Sequence, residues 1–249
     1  MKRVRPFHFV YSLYNIRMPT QKLAAFLAHA GVASRRKSEE FILRGLVQVN
    51  GQIEKNVATR VNPEKDEVKF DGKTLTVLGE KLLLALYKPI GVVSTVSDPD
   101  GKQTIIDILP EEYKKIRLYP VGRLDEDSEG LVLLTNDGDL AYKLTHPKFE
   151  VPRTYEVTIN GDLSQNEKLR LLTGVPLKDG RTKPADLELL GNVPGGEIWE
   201  ITIEEGRHHQ IRRMMWAVNH DVRKLKRVTH GEYELGNLKP GMVREIPLK

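Results

Sequence analysis

Short apolar runs recur along the last two thirds of the chain, and they constrain its fold more than any other feature. Their lengths, and the Gly and Pro residues that bound them, predict β-strands. The predicted strands are 82–87, 92–96, 131–134, 155–159, 187–190 and 198–203. Helical spacing of apolar residues predicts helices at 138–145, 164–173 and 207–219. Because strands outnumber helices and the two do not alternate regularly, we predict an α+β domain around a largely antiparallel sheet.

The first third of the chain carries a different pattern of elements. They are a helix from a Thr20 cap to Gly31, a helix from a Ser34 cap to Gly45, and hairpins at Val47–Gly51 and Val68–Gly72. These elements predict a compact α/β module over residues 20–80, and residues 73–82 have the composition of a linker. We expect residues 1–19 to form a flexible extension and residues 81–249 to form a second domain.

Positive charge is concentrated near the N-terminus. The chain has 39 Lys and Arg against 34 Asp and Glu, and residues 1–80 hold 14 of the basic and 8 of the acidic residues. Within the predicted module the basic residues cluster at Arg35, Arg36 and Lys37, in the first turn of a helix. Cations there oppose the helix dipole, so helix stability does not explain them. They are placed to contact a polyanion such as RNA.

The chain contains no cysteine, which excludes disulfides, cysteine zinc sites and thiol nucleophiles. Any covalent catalysis must therefore use another nucleophile. The adjacent His208 and His209 have no third ligand at a plausible sequence spacing, so we expect no metal. No segment has the pattern of a signal peptide or a membrane span, and we expect a cytoplasmic protein.

Two segments concentrate groups that can carry chemistry. The segment Gly122–Gly130 holds an arginine, four acids and a serine. It is typical either of an acidic surface turn or of a site, and its glycines would let a ligand approach the backbone closely. Residues 206–227 hold seven basic residues and one acid, a pattern of a solvated face or of a surface that follows phosphates. Arg223, Lys224, Lys226 and Arg227 lie at the end of that segment.

Taken together, the motifs resemble those of one enzyme family. The run Gly122-Arg-Leu-Asp125-Glu-Asp-Ser-Glu-Gly-Leu131 resembles the signature around the catalytic aspartate of RsuA/RluB-type pseudouridine synthases, which modify ribosomal RNA. Lys88-Pro-Ile-Gly91, Arg153-Thr-Tyr155 and Glu205-Gly-Arg-His-His-Gln-Ile-Arg-Arg-Met214 resemble three further motifs of that family, in the same order. Residues 21–80 resemble the S-four-type RNA-binding domain that commonly precedes such a catalytic domain.

The resemblance implies a fold and a set of roles. The fold is a small N-terminal α/β RNA-binding module followed by a pseudouridine synthase domain, in which helices flank a largely antiparallel mixed sheet. Asp125 would be the nucleophile, and Arg212 would pair with it and hold it ionised. Tyr155 would stack on the target uracil and accept the proton from carbon 5. No cofactor or metal is implied, because the reaction is an isomerisation.

The remaining candidate residues would bind substrate. Arg123 would prop the RNA after the target base flips out, and Arg207 would contact the substrate from the third motif. Arg35, Arg36 and Lys37 would hold RNA phosphates. The expected partner is ribosomal RNA or a pre-ribosomal particle, with the large subunit favoured, and the expected protein is a monomer. The form Gly-Arg-x-x-Gln-Ile-Arg-Arg at residues 206–213 is the basis for that preference.

Two other functions are compatible with parts of the pattern. A non-catalytic RNA-binding or ribosome-assembly factor would explain the basic module but has no need for Asp125, Tyr155 and Arg212 together. A hydrolase with a carboxylate pair would use Asp125 with Asp127 or Glu129, although acids this close are common in turns.

Overall fold

The computed structural model describes residues 20–76 and 81–248. The chain divides into two compact units, Met1–Glu80 and Lys81–Lys249. The predicted N-terminal extension, residues 1–19, lies outside the described residues. Across the described ranges, no helix combines the length and apolar character that a membrane crossing requires.

The first unit packs two helices against small antiparallel sheets. Its elements are β1 (Gln21–Lys22), α1 (Leu23–His29), α2 (Arg35–Leu43), β2 (Val47–Val49), β3 (Gln52–Glu54), β4 (Arg60–Val61), β5 (Val68–Phe70) and β6 (Lys73–Leu75). Strands β3-β2-β5-β6 form one sheet, and β1 pairs with β4. Leu23, Phe26 and Leu27 of α1 are buried with Ile42 of α2, which gives the unit a core of its own.

Most of the predicted elements of this unit are confirmed. The Ser34 side chain accepts a hydrogen bond from the Lys37 amide and caps α2. Both hairpins form, and Asn50 and Asp71 adopt the positive φ angles that their tight turns require. The Thr20 cap is wrong: the Thr20 hydroxyl accepts from Arg60 instead, because pairing of β1 with β4 delays the helix start to Leu23.

The second unit contains one large sheet. The strands of this unit are β7 (Leu83–Lys88), β8 (Tyr119–Val121), β9 (Glu129–Thr135), β10 (Arg153–Ile159), β11 (Pro176–Leu177), β12 (Gly180–Arg181), β13 (Asp186–Val193), β14 (Gly196–Ile203), β15 (Val222–His230), β16 (Tyr233–Glu234) and β17 (Val243–Glu245). Strands β11 and β12 pair with each other outside the large sheet. The helices of this unit are α3 (Glu111–Lys114), α4 (Gly138–Thr145), α5 (Gln165–Thr173) and α6 (Gln210–Ala217), with a 3-10 turn at Pro147–Phe149.

The large sheet has the order β13-β14-β10-β15-β9-β7-β17, with β16 beside β15 and β8 beside β9. Strands β9 and β15 are parallel, and the other pairs in this sheet are antiparallel. On β7, Leu84 and Leu86 face one core while Leu83 and Ala85 face another. Burial on both faces explains the continuous apolar run, and the α+β prediction of a largely antiparallel mixed sheet is confirmed.

Three predicted bounds are wrong, each for a local reason. Residues 92–96 form no strand, because the chain turns at Gly91 and then contributes an isolated bridge between Val93 and Thr104. The segment 73–82 begins as strand β6, since the second hairpin needs a return strand. Helix α6 begins at Gln210 rather than 207, because His209 adopts a left-handed backbone conformation.

Gly130 allows the parallel pair at the centre of the sheet to approach. It has φ +107°, and a Cβ atom there would lie 2.3 Å from the carbonyl oxygen of Arg227 on β15. An L-residue would therefore clash with the neighbouring backbone as well as strain its own. Gly130 was expected to let a ligand approach the backbone closely. In the structure it lets the neighbouring strand β15 approach instead.

We predict that Gly130→Ala lowers the free energy of unfolding by about 3 kcal/mol or more, because the clash adds to the strain. Gly101→Ala is the matched control, since Gly101 also has a positive φ but open space around it. It should cost only about 1–2 kcal/mol. Urea denaturation of both variants measures the difference, and equal losses would contradict the role of the close approach.

Candidate active site

A cavity of about 310 Å³ lies in the second unit, where several sequence motifs meet. Its walls come from the loop that precedes β9, the start of β10, the loop after β14, and β15. Among the predicted site residues, four line it: Arg123, Asp125, Tyr155 and Arg207. The fold therefore brings together residues from three motifs that are far apart in sequence.

The Asp125 loop is fixed by residues that the sequence did not single out. The buried Ser94 hydroxyl donates to the Leu124 carbonyl at 2.8 Å and accepts from the Leu124 amide at 3.0 Å. The Gly91 amide donates to the Glu126 carbonyl at 2.9 Å. The turn at Gly91 and Ser94 thus hold the residues on both sides of Asp125. No sequence signal marked Ser94, because its role depends on a contact thirty residues away.

The Asp125 carboxylate is partly exposed, and its partner in the structure is a histidine. Nε2 of His209 lies 3.5 Å from Oδ1 of Asp125. Arg212, the predicted partner, instead reaches Asp127: its Nη2 lies 3.0 Å from Oδ2 and 3.1 Å from the carbonyl oxygen. The predicted direct pair between Arg212 and Asp125 is therefore wrong in this structure. The same guanidinium also donates to the Val222 carbonyl at 3.1 Å, and Arg212 is not among the residues that line the cavity.

Tyr155 lies opposite a buried arginine. Tyr155 is buried on β10, and its register partner on β15 is Arg227, which is only 1% exposed. Nε of Arg227 donates to the Leu131 carbonyl at 2.8 Å, and Nη1 donates to the Arg123 carbonyl at 3.4 Å. Arg227 was predicted to belong to a surface that follows RNA phosphates. That prediction is wrong, because its side chain is buried against the backbone of Leu131 and Arg123. It lines the cavity instead.

Two further basic residues lie close to one another at this site: Arg153, which is half-buried and lines the cavity, and His230, which is completely buried. Arg153 and His230 both bind the Leu144 carbonyl, at 3.1 Å and 3.0 Å. Burial lowers the pKa of His230 well below its ordinary value, and the charges of Arg227 and Arg153 lower it further. His230 is therefore neutral near pH 7, whereas the two guanidiniums keep their charge. The positive charges of Arg227 and Arg153 favour a carboxylate or another anionic group in the cavity.

Arg207 has a mainly structural set of contacts. Its guanidinium pairs with Glu205 at 3.1 Å and donates to the carbonyl oxygens of Gly180 and Arg181 at 2.8 Å and 2.7 Å. These bonds hold the short β11–β12 hairpin beside the loop that carries His208 and His209. A direct contact between Arg207 and RNA stays a prediction.

The two histidines have a third neighbour that the sequence did not reveal. Their rings stack at a centroid distance of 3.9 Å, and one ligand atom from each lies within 4.8 Å of an Asp125 oxygen and of the other. Three donors of this kind are compatible with a divalent cation. A sequence pattern does not reveal this group, because Asp125 and the two histidines lie more than eighty residues apart.

In the first unit, Arg35, Arg36 and Lys37 are exposed in the first turn of α2, as predicted from the sequence pattern. The Lys37 amine pairs with Glu40 at 2.6 Å, whereas both arginines project into solvent. The cluster is accessible to a polyanion.

Comparison with known proteins gives the family. The profile of the RNA pseudouridylate synthase family matches residues 82–217, and that of the S4 domain matches residues 21–68. The chain is 41% identical over 231 residues to the ribosomal large subunit pseudouridine synthase B of Bacillus subtilis (strain 168), covering 91% of this chain and 92% of that protein. It is 38% identical over 226 residues to an uncharacterized RNA pseudouridine synthase of Aquifex aeolicus (strain VF5), covering 90% of each. A crystal structure of a pseudouridylate synthase superposes with a TM-score of 0.65 at 32% identity, covering 91% of this chain and 96% of the other.

The chain belongs to the RNA pseudouridine synthase family. This membership confirms the resemblance found in the motifs and the presence of an RNA-binding domain before the enzyme domain. It supports an enzyme over the non-catalytic RNA-binding factor, and no comparison supports a hydrolase.

A buried lysine of the synthase lies near the acidic loop. Lys88 is completely buried at the end of β7, and its amine donates to the Pro89 carbonyl at 2.9 Å. Burial lowers the pKa of Lys88 to about 8, against the opposing effect of nearby Asp127 and Asp125. The sequence pattern gave this turn no chemistry of its own. A lysine that closes an otherwise apolar strand was the available signal.

We predict that Lys88 makes the stability of the synthase rise with pH between about 8 and 10. In that range the unfolded chain, with its lysine near 10.5, binds a proton that the folded protein has lost. Below pH 8 both states are protonated, and the cost of burying the charge is constant. The slope should approach about 1.4 kcal/mol per pH unit.

Urea denaturation of the wild type and of Lys88→Met at several pH values tests this prediction. The variant should be relatively more stable at pH 7 and should lack the rise above pH 8. Lys239→Met, at an exposed position, is the control and should follow the wild type. Parallel curves for the wild type and Lys88→Met would show that Lys88 does not titrate in this range.

Proposed function

We propose that this synthase converts a uridine in ribosomal RNA of the large subunit to pseudouridine, with Asp125 as the nucleophile. The observation that carries the proposal is that Asp125 and Tyr155 line one cavity together with the positively charged Arg153 and Arg227. The name of the Bacillus subtilis relative supports the choice of the large subunit. The expected partner is the ribosomal RNA itself or a pre-ribosomal particle, met by a monomer in the cytoplasm.

The reaction breaks the bond between N1 of uracil and C1′ of ribose and forms a bond from C5 to C1′. The proton on C5 is lost and N1 gains one, so atoms and electrons balance within the nucleotide. An ionised carboxylate can attack either the sugar carbon or the uracil ring, and in a chain without cysteine Asp125 is the natural nucleophile.

Basic side chains surround Asp125. His209 lies 3.5 Å from the carboxylate, and Arg227 and Arg153 line the same cavity. Positive charge held in place there would stabilise negative charge that develops during the reaction. Arg212 acts indirectly, because its contacts with Asp127 orient the loop that carries the nucleophile Asp125.

The target base must leave the RNA stack before it can react. Flipping costs a few kcal/mol, and stacking on the Tyr155 ring would return about 1–3 kcal/mol of that. The Tyr155 hydroxyl is the candidate acceptor for the C5 proton. Arg123 is exposed at the mouth of the cavity, where it would occupy the space that the base leaves.

We predict that Asp125→Asn reduces pseudouridine formation by at least about 1,000-fold, which corresponds to about 4 kcal/mol of barrier. RNA affinity should change little, because an amide fills the same space. Tritium release from RNA labelled at C5 of uridine measures the rate, and filter binding measures affinity. Glu126→Gln, the neighbouring exposed acid, is the control and should stay active. An active Asp125→Asn variant would refute the assignment of the nucleophile.

We predict a separate role for the first unit in holding RNA. Replacing Arg35, Arg36 and Lys37 together by Glu should weaken binding and make it less dependent on salt, because fewer counterions are released. Acids in the first turn of a helix are favoured by its dipole, so the fold should survive. The same reversal at Lys65, Lys69 and Lys73 is the control, with an equal change of net charge. Equal salt slopes for the two triple variants would argue against a specific contact at α2.

A further inference from the structure

Trp216 lies on the surface of the second unit without a role in its core. The side chain is 73% exposed on the last turn of α6, whereas the other tryptophan, Trp199, is only 4% exposed. The buried face of α6 is formed by Ile211, Met214 and Met215. Packing therefore does not explain an aromatic residue at position 216, and its exposure carries a cost in water that a ligand would relieve.

A groove of about 310 Å³ runs beside Trp216. Its lining includes Arg212, Arg213, His220 and Val222, and also His209. His209 lines the cavity that contains Asp125 as well, so the groove and the cavity share a wall. A chain that places one nucleotide in the cavity can thus place a neighbouring nucleotide in the groove.

The groove is lined mainly by polar and charged side chains, two arginines and two histidines with one acid, Asp221, which favours a polar partner such as RNA over an apolar one. Arg212 and Arg213 pair with Asp127 and Asp179, which holds both guanidiniums in place. Arg223, next to the lining residue Val222 in the sequence, donates to the carbonyl oxygens of Pro194 and Ile159, and these contacts leave its positive charge unneutralised. An exposed indole among cations is the combination with which proteins bind unpaired nucleotides.

We propose that Trp216 is a stacking platform for an unpaired nucleobase of the RNA substrate that neighbours the target uridine. This inference rests on the proposed function, since it places the target uridine in the Asp125 cavity. The adjacent phosphates follow the basic side chains of the groove, and the stacked base positions the RNA so that the neighbouring uridine enters the cavity. The role belongs to substrate binding and not to the chemical step.

The test uses the full-length protein and an in vitro transcript of ribosomal RNA. Trp216→Ala should weaken transcript binding and raise KM by about 5- to 100-fold, the range expected for loss of one stacked base, with kcat little changed. Trp216→Phe should retain most of the affinity because it keeps an aromatic face. The salt dependence of binding should be the same in all three proteins, since no charge is removed. Leu169→Ala, at another exposed apolar position of the same unit, is the control and should bind as the wild type does.

A direct measurement separates this inference from the proposed function. Binding of a single-stranded oligoribonucleotide should quench the tryptophan fluorescence of the wild type and of Asp125→Asn, but not that of Trp216→Phe. A blunt RNA duplex should quench it less. Unchanged affinity in Trp216→Ala, or equal quenching by the duplex, would overturn the stacking role. If Trp216→Ala instead abolished self-association measured by light scattering, the surface would be a protein interface and the proposal would also fail. An active Asp125→Asn variant would refute the nucleophile and leave the quenching result interpretable.

Discussion

The buried guanidinium of Arg227 links the large sheet to the candidate active site. The backbone of Arg227 packs against Gly130 in the parallel β9–β15 pair. The Arg227 side chain donates hydrogen bonds to the carbonyls of Leu131 and Arg123. Its partners among the described residues are carbonyl oxygens and no carboxylate. A charge buried in this way is costly unless hydrogen bonds or a nearby anion stabilise it. The positive charge therefore stays available at the wall of the cavity that Asp125 also lines.

The rest of the site around Arg227 is built mainly from loops at one end of the sheet. The Asp125 loop is hydrogen-bonded to Ser94 and to the turn at Gly91, so the segment after β7 and the segment before β9 together position Asp125. Tyr155 comes from a regular strand and is fixed by its register with β15. The groove beside Trp216 extends the same surface along α6, where basic side chains are held by ion pairs. A regular strand thus carries Tyr155, and a hydrogen-bonded loop carries Asp125.

Much of the local structure could be predicted because it depends on neighbours in sequence. The Ser34 cap and the turns at Asn50 and Asp71 each require particular residues within a few positions. Predictions failed where a distant strand intervened. Thr20 does not cap α1 because β4 pairs with the residues that follow it, and the 92–96 segment turns away because Ser94 binds the Leu124 backbone. Arg227 was misplaced for the same reason, since a charged residue in a basic run gives no indication that its strand is central.

The sequence by itself determined the family resemblance, the α+β class and four of the residues that line the cavity, Arg123, Asp125, Tyr155 and Arg207. Those follow from motif order and from periodicity, which are properties of a linear chain. The tertiary structure decided which groups touch: His209 rather than Arg212 beside Asp125, Asp125 beside two stacked histidines, and Lys88 buried below an acidic loop. Contacts between residues tens of positions apart depend on strand order and backbone turns. A one-dimensional pattern does not contain those distances.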